Sequence, residues 1–374
     1  MISWQPLMVV FLVGCAGASG RASDGVIGSS GYRGPERRSD DSAAVVFPGD
    51  HWEPVSSPEA VGYSTPKLEM VRAFLQDIDT TAAMTIVHGR VLLLYGDAGR
   101  VSVVAGVRKS ILGMLLGAHV ARGEVVETSS LAQLGIDDVG GLTPEEKQAT
   151  VGDLLASRSG VYHPAANTGD DLKHAPERNS KAPGSWFLYS NWDFNALGTI
   201  FEQQIHENIY DALASELAQP IGMEDFRRSE QHEERNDAVS IHPAYHMYLS
   251  TRDMARLGYL MLRRGSWNGR ELIPGRWVSE MVTPTSGADD VHGYMKGMGF
   301  GKLWWLFDDP RSRAGGALQG AYTATGEHGQ YITVIPKLDM VVAYKVIRID
   351  KEGVNVSSYR RVLDLIAASR LSAD

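Results

Sequence analysis

A single cysteine, Cys15, occurs in the 374 residues, so no intrachain disulfide can hold the fold and its stability must come from a packed core. The apolar run from Pro6 to Gly14 is too short to span a bilayer as a mature helix. Positive charge is in deficit: 36 Lys and Arg against 45 Asp and Glu give a formal net charge of -9. The basic residues form no stripe, which excludes a nucleic-acid-binding face. No heptad run or internal repeat is present, so a coiled coil or solenoid is excluded as well. What remains is ordinary for a globular chain, 43% hydrophobic and 22% charged, with room for one large domain or two intimate ones.

The first 15 residues have the pattern of an export signal. The apolar run ends Leu12-Val13-Gly14-Cys15, which resembles a bacterial lipoprotein signal with Cys15 as the lipidated residue. A secretory signal with a chance cysteine is the alternative, and both require export. The expected location is the periplasm or outer envelope, with membrane contact only through a lipid on Cys15. A flexible tether is expected over residues 16–57, its Gly-, Ser-, Arg- and Asp-rich part reaching about Val46. The folded domain is expected over 58–374.

Within that domain, Thr65-Pro66-Lys67 reads as an N-cap with proline at the first helical position, and Leu68, Val71, Phe74 and Leu75 continue at helical spacing. Two β-rich runs, 82–87 and 91–96, flank His88-Gly89-Arg90 as a hairpin. Ile111, Leu112, Leu115, Leu116 and Val120 define a helix from Val107 to Arg122, with Gly123 as its C-terminal cap. From about Leu131 to Val282 the chain reads as mostly helical with long loops. Thr143-Pro144-Glu145-Glu146 marks one helix start, and Ser250-Thr251-Arg252-Asp253 reads as a capping box. Strands return over 299–306, 331–335 and 340–347, and Tyr359 to Leu371 is a closing amphipathic helix. Strands from both ends must meet in one sheet, since neither pair is stable alone. The expected class is α+β: an antiparallel sheet flanked by helices, with an inserted, mostly α-helical lobe. The sheet lobe takes about 58–125 and 290–374, the helical lobe about 126–289, and a cleft lies between them.

Three short motifs carry the chemistry: Gly106-Val107-Arg108-Lys109, Tyr189-Ser190-Asn191 and Ala324-Thr325-Gly326. Around them stand Leu154-Leu155-Ala156-Ser157-Arg158-Ser159-Gly160, the lead-in Pro183-Gly184, Ser250-Thr251-Arg252-Asp253-Met254, and Gly329-Gln330-Tyr331 followed by Ile335-Pro336. From about residue 58 onward the chain resembles the penicillin-recognising serine hydrolases, namely class C β-lactamases, DD-peptidases and their esterase relatives. Their three elements are Ser-x-x-Lys, Tyr-x-Asn and Lys/His-Thr-Gly. Here the second is intact, and the first and third have lost their leading residue. Gly106 stands at the serine and Ala324 at the cation.

The resemblance implies a role for each position. A serine at residue 106 would attack a carbonyl carbon. Lys109, three residues on and on the same helix face, would take its proton, given a pKa lowered by burial and nearby positive charge. Tyr189 would act as partner base or as acid toward the leaving group. Asn191 would orient Lys109 and the substrate amide. The backbone N–H groups of residue 106 and Glu327 would bind the oxyanion. Thr325 and Gly326 would line the substrate strand, and His328 could stand in for the missing cation. No metal or cofactor is implied, since His242, His246 and His328 do not make a metal spacing. Trp304 and Trp305 read as core and cleft wall.

Plainer readings stand beside these. Tyr189 could be a core tyrosine, Asn191 a turn or cap residue, and glycine is acceptable at an N-cap. No other serine replaces the lost one. Ser102 lies roughly 13 Å back along an extended lead-in. Ser110 sits roughly 6 Å deeper on the helix, and Ser190 has no lysine in register. The function expected from these residues is a β-lactamase-related hydrolase of esters or amides, inactive or strongly impaired at Gly106. The alternative is a pseudoenzyme that binds a cell-wall peptide or other acyl ligand without cleaving it.

Overall fold

The computed structural model describes residues 46–167, 172–307, 316–347 and 353–371. Cys15, the signal and the tether up to residue 45 lie outside the described residues. The tether boundary at 57 is corrected: residues 46–57 belong to the folded domain. Trp52 is fully buried, its ring 6.0 Å from that of Tyr259. Val55 N–H donates to Val91 O at 3.0 Å, and Val91 N–H donates back to Glu53 O at 2.9 Å. The buried Arg256 holds the carbonyls of Gly49 and Asp50 at 2.9 and 3.2 Å. Val46, Phe47, Trp52 and Val55 are spaced too widely to show a helix or strand period, so composition alone made the segment look like tether.

Helix α1 (Thr65–Asp77) starts one residue earlier than its sequence signal, with Ser64 as N-cap and Pro66 in its first turn. Strands β1 (Ala82–Val87) and β2 (Arg90–Gly96) form the expected hairpin, and β3 (Ser102–Val103) leads into α2 (Val107–Ala121). The next helices are α3 (Leu131–Leu134), α4 (Val151–Leu155), α5 (Asn191–Ile205) and α6 (Ile209–Ala212). Thr143 to Glu146 does not start an α-helix. A single 3-10 turn, Glu146–Gln148, forms there, and Glu146 instead accepts from Thr143 N–H and pairs with Arg178.

Strands interrupt the lobe expected to be helical, the longest being β4 (His232–Asn236) and β5 (Ser240–His246), paired antiparallel. They place His242 and His246 on a strand, within the stretch that reads as helices and long loops. Strand β6 (Tyr248–Leu249) then pairs with β3. Helix α7 (Thr251–Leu262) is capped by Ser250, which accepts from Asp253 N–H at 3.1 Å. The reciprocal half of the expected box is diverted: the Asp253 carboxylate accepts instead from Glu224 N–H and Asp225 N–H at 2.7 and 3.1 Å.

Strands β7 (Ser266–Trp267) and β8 (Arg270–Glu271) and helix α8 (Gly275–Met281) follow. The remaining elements are β9 (Gly299–Phe300), β10 (Trp305–Leu306), β11 (Tyr322–Gly326), β12 (Gln330–Ile335), β13 (Met340–Lys345) and helix α9 (Val356–Ala368).

The seven-stranded sheet runs β2-β1-β13-β12-β11-β10-β9, so strands from both ends of the chain do meet. Neighbouring strands of this sheet pair antiparallel. Strands β1, β11, β12 and β13 are buried along their whole length, because helices cover both faces. Alternation sorts the contacts. On one face Tyr359 of α9 stacks on Tyr331 at 3.9 Å and shares a hydrogen bond with Thr333 at 2.7 Å. On the other, α7 lies against Ile332 and Val341. A Cβ on Gly258 would meet their methyl groups at 2.7 and 2.5 Å, so only glycine lets this helix approach. Helix α7 therefore packs on the sheet, although its place in the sequence falls within the expected helical lobe.

Candidate active site

The cleft is built where the tip of α2 meets the end of β11. Ala105 has φ +45°, a left-handed conformation that costs an alanine roughly 1–2 kcal/mol. This bend turns the chain from β3 into α2 and makes Gly106 its N-cap, with φ -60° and ψ -19°. The first turn is tight: Val107, Arg108 and Lys109 N–H donate to Val104, Ala105 and Gly106 O at 3.1, 3.2 and 3.0 Å, at the positive end of the helix dipole.

Lys109 is 5% exposed. Its ammonium donates to Asn191 Oδ1 at 2.6 Å and lies 4.0 Å from the ring centroid of Tyr189 and 4.6 Å from that of Phe194. Ser190 caps α5 through Asp193 N–H, which sets Asn191 as the first residue of that helix and aims its amide at α2. Tyr189 is wedged against Phe194 and Trp305, each 5.0 Å away between centroids. Trp304 and Trp305 are core residues, 0% and 2% exposed.

The tip of α2 is closed against β11. A Cβ built on Gly106 would stand 2.6 Å from Thr325 O, 3.4 Å from Gly326 Cα and 3.4 Å from Tyr189 Oη. Thr325 and Gly326 thus sit where the motif order suggests. Glu327 and His328 occupy the β11–β12 turn, His328 at φ +63°. Gly106, Lys109, Tyr189, Asn191, Thr325, Gly326, Glu327 and His328 all line one cavity of about 590 Å³. Ala324 is buried in the sheet and carries no charge to the cleft.

Ser110 and Ser190 are committed elsewhere. Ser110 Oγ donates to Leu303 O at 2.6 Å inside the core, Ser190 is a helix cap, and Ser102 lies in β3. His242 is a structural residue held between Thr199 Oγ1 and Asp137 O, both at 3.0 Å. Among the described residues, no cluster of His, Cys, Asp or Glu could hold a metal ion.

Two cavity residues were not singled out by sequence. Arg108 lies beside Lys109 and is 1% exposed. His246 reaches the wall from β5, its Nε2 2.9 Å from Glu234 Oε2. Burial holds the His246 imidazole below its usual pKa; the Glu234 hydrogen bond opposes this and the Arg108 charge adds to it. The only signal in the sequence was a second cation within an otherwise apolar helix.

Residues 69–360 match the family model described as Beta-lactamase. The chain is 31% identical over 98 residues to an uncharacterized protein of Alkalihalophilus pseudofirmus; the match covers 25% of this chain and only 28% of that relative's length. A penicillin-binding protein homologue from Caulobacter crescentus is similar in structure with TM-score 0.60 at 18% identity, over 82% of this chain and 98% of that one. EstCE1, described as a hydrolase with promiscuous acyltransferase activity, gives TM-score 0.59 at 14% identity, over 83% and 98%. At these identities the structural likeness shows a shared fold.

Proposed function

Since this chain belongs to the beta-lactamase family of serine hydrolases, we propose that its cleft binds an ester- or amide-containing acyl ligand without forming an acyl-enzyme. One observation carries the reading. The lysine, tyrosine and asparagine of the site are assembled around one cavity, while the position that should supply the attacking oxygen is Gly106, with Thr325 O only 2.6 Å from where a Cβ would begin. A nucleophile needs an oxygen at that point, and β11 stands partly in its place. Binding chemistry is kept in this reading: Asn191 lines the cavity beside Lys109, and the backbone N–H of Gly106 would serve as an oxyanion donor. Loss of the third-motif cation at Ala324 favours an ester, amide or peptide over a β-lactam whose carboxylate that cation would hold. Export by the amino-terminal signal, with lipidation at Cys15, would place this cleft in the cell envelope, where cell-wall peptides are available ligands.

The test uses intact-mass spectrometry and thermal shift on the same protein. After incubation with a fluorophosphonate or a fluorescent penicillin the mass is expected to be unchanged. N-acetyl-D-alanyl-D-alanine methyl ester is expected to raise Tm and to be recovered uncleaved. A stoichiometric covalent adduct, or steady ester turnover above buffer, defeats the reading.

A further inference from the structure

The cleft keeps a base and has lost the group that base would serve. In an acyl-transfer site the lysine takes its proton from the attacking hydroxyl. Here residue 106 carries only hydrogen, so any proton that Lys109 removes must come from the ligand or from water. Thr325 O crowds the place of an attacking oxygen, standing 2.6 Å from where a Cβ on Gly106 would be. Proton transfer with the ligand itself is the chemistry this leaves.

The geometry suits that chemistry. Lys109 Nζ lies over the Tyr189 ring, 4.0 Å from its centroid, and donates to Asn191 Oδ1 at 2.6 Å. The Tyr189 hydroxyl projects from the rim of the same ring, 3.4 Å from the Cβ position of residue 106. Amine and phenol are thus offset, one above the ring face and one at its edge, and both residues line the cavity beside Gly106. Phe194 packs against both, 4.6 Å from Nζ and 5.0 Å from the Tyr189 ring, and Trp305 backs Tyr189. Both side chains are buried and held. Proton abstraction next to a carbonyl needs a base for the C–H, a donor for the developing oxyanion and an acid for the return step. Lys109, the backbone N–H of Gly106 and Tyr189 are of those three kinds.

We propose that the cleft enolises its ligand: it removes and returns a proton at the carbon next to the carbonyl and leaves the acyl bond whole. This activity rests on the reading of the cleft as an acyl-ligand site and adds a reaction to it. The neutral amine of Lys109 takes the proton from that carbon. The C–H electron pair becomes the C=C bond of an enolate, and the carbonyl pair moves to oxygen, where the Gly106 N–H holds it. The proton returns to carbon from Lys109 on the same face, or from the Tyr189 hydroxyl on another, and solvent then restores the phenol. Nothing is oxidised or reduced, and no group leaves. Return from Lys109 exchanges the proton with water, and return from Tyr189 can invert a stereocentre. The ligands this suits are carbonyl compounds with an acidic neighbouring C–H, thioesters and ketones before esters and amides, because resonance from oxygen or nitrogen opposes enolate formation.

The experiment incubates the full chain with the thioester S-methyl phenylethanethioate in mildly alkaline D2O, where a share of lysine amines is neutral. The benzylic protons are followed by NMR and the protein by intact mass. Deuterium is expected to enter the benzylic position roughly 10²-fold faster than with the Lys109→Met protein, with the thioester uncleaved and the chain mass unchanged. Lys109→Arg keeps the positive charge but not the base, and is expected to exchange no faster than Lys109→Met; both variants are checked for folding by near-UV circular dichroism. Gly106→Ser is expected to trade exchange for hydrolysis of the same thioester, a change of product that a merely structural lysine would not give. Exchange by the unaltered protein no faster than in buffer overturns the proposal and needs no variant. Exchange that survives both Lys109 variants overturns it too, as does a phenylacetyl adduct on the chain, which would make Lys109 a nucleophile. The acyl-ligand reading is judged separately, by binding of the methyl ester described above. A protein that binds that ester but exchanges no proton keeps the first reading and loses the second.

Discussion

Gly106→Ser tests whether the cradle around Lys109 is competent or only reminiscent. The substitution adds a Cβ that would stand 2.6 Å from Thr325 O, 0.4 Å inside the 3.0 Å floor that real Cβ contacts respect. Helix α2 and strand β11 must therefore part by about that distance. Overpacking of this kind costs roughly 1–3 kcal/mol, offset by a few tenths from serine as the better N-cap. The variant should melt roughly 2–8 °C below the parent. Its hydroxyl, meanwhile, arrives next to Tyr189 Oη, which lies 3.4 Å from the Cβ position, and on the helix face of Lys109. In a serine protease of unrelated fold, loss of the nucleophile lowers kcat by about 2 × 10⁶. Strain in the restored site withholds about one or two of those powers of ten, since about 1.4 kcal/mol is tenfold. The expected gain in hydrolysis of p-nitrophenyl acetate is thus on the order of 10⁴-fold over the parent, with one fluorophosphonate per chain. Adding Lys109→Met should return the rate to the parental level. A folded Gly106→Ser protein that neither labels nor turns over any simple ester would refute the argument that the rest of the site is assembled. One as stable as the parent would refute the close contact with β11.

Ser110→Ala in the Gly106→Ser background should leave labelling unchanged, because the Ser110 hydroxyl is turned to Leu303 O; a lost adduct would make Ser110 the true nucleophile. Asp138 is buried and accepts from Trp192 Nε1, Ser240 Oγ and Ile241 N–H at 2.6, 2.6 and 2.8 Å. Asp138→Ala should lower the urea-unfolding free energy by roughly 3–5 kcal/mol, and a loss under about 1 kcal/mol contradicts that role. Lys345 donates to Ser102 O and Leu249 O at 3.0 and 2.6 Å, and burial pulls its pKa down to about 7, with Asp253 opposing. Between pH 7 and the unfolded value near 10.4 the unfolded chain then binds the extra proton, so stability should rise with pH across that window. Lys345→Met should flatten the rise; an unchanged slope would show that another group sets it.

Much of the framework was readable because local patterns and tertiary packing agree. The apolar positions of α2 and the glycine after it fixed that helix to within one residue, since it is buried nearly all round. Strand β4 was invisible because all five of its residues are exposed, so no alternation of burial marks it. Strand β5 carries Pro243 and the polar or weakly apolar Ser240, His242, Ala244 and His246, and it is recognised only when packed on α5, where Tyr245 Oη donates to Phe194 O at 2.9 Å.

The same limit hid part of the site. Lys109 and Asn191 could be paired beforehand through a resemblance of motifs, whereas Arg108, Glu234 and His246 share no motif. Glu234 and His246 meet as diagonal neighbours across the β4–β5 ladder, in which His232 faces His246 and Glu234 faces Ala244, a relation that exists only once register is set. Closure of β11 onto Gly106 was equally unreadable, because a glycine in a helix cap gives no sign of what rests against it.

Residue 46 joins the domain at the end of the sheet away from the cleft. Val46 N–H bonds to His88 O at 3.3 Å, beside the turn that links the two outermost strands of one edge. That turn shares its end of the sheet with Met340 and Ile335, whereas Gly326 and Gln330, which border the hollow, close the opposite end. Roughly six residues of strand, about 20 Å, separate the two ends. Residue 46 and the mouth of the hollow therefore lie at opposite ends of the sheet, so a ligand enters the cleft without passing the point where the described chain begins.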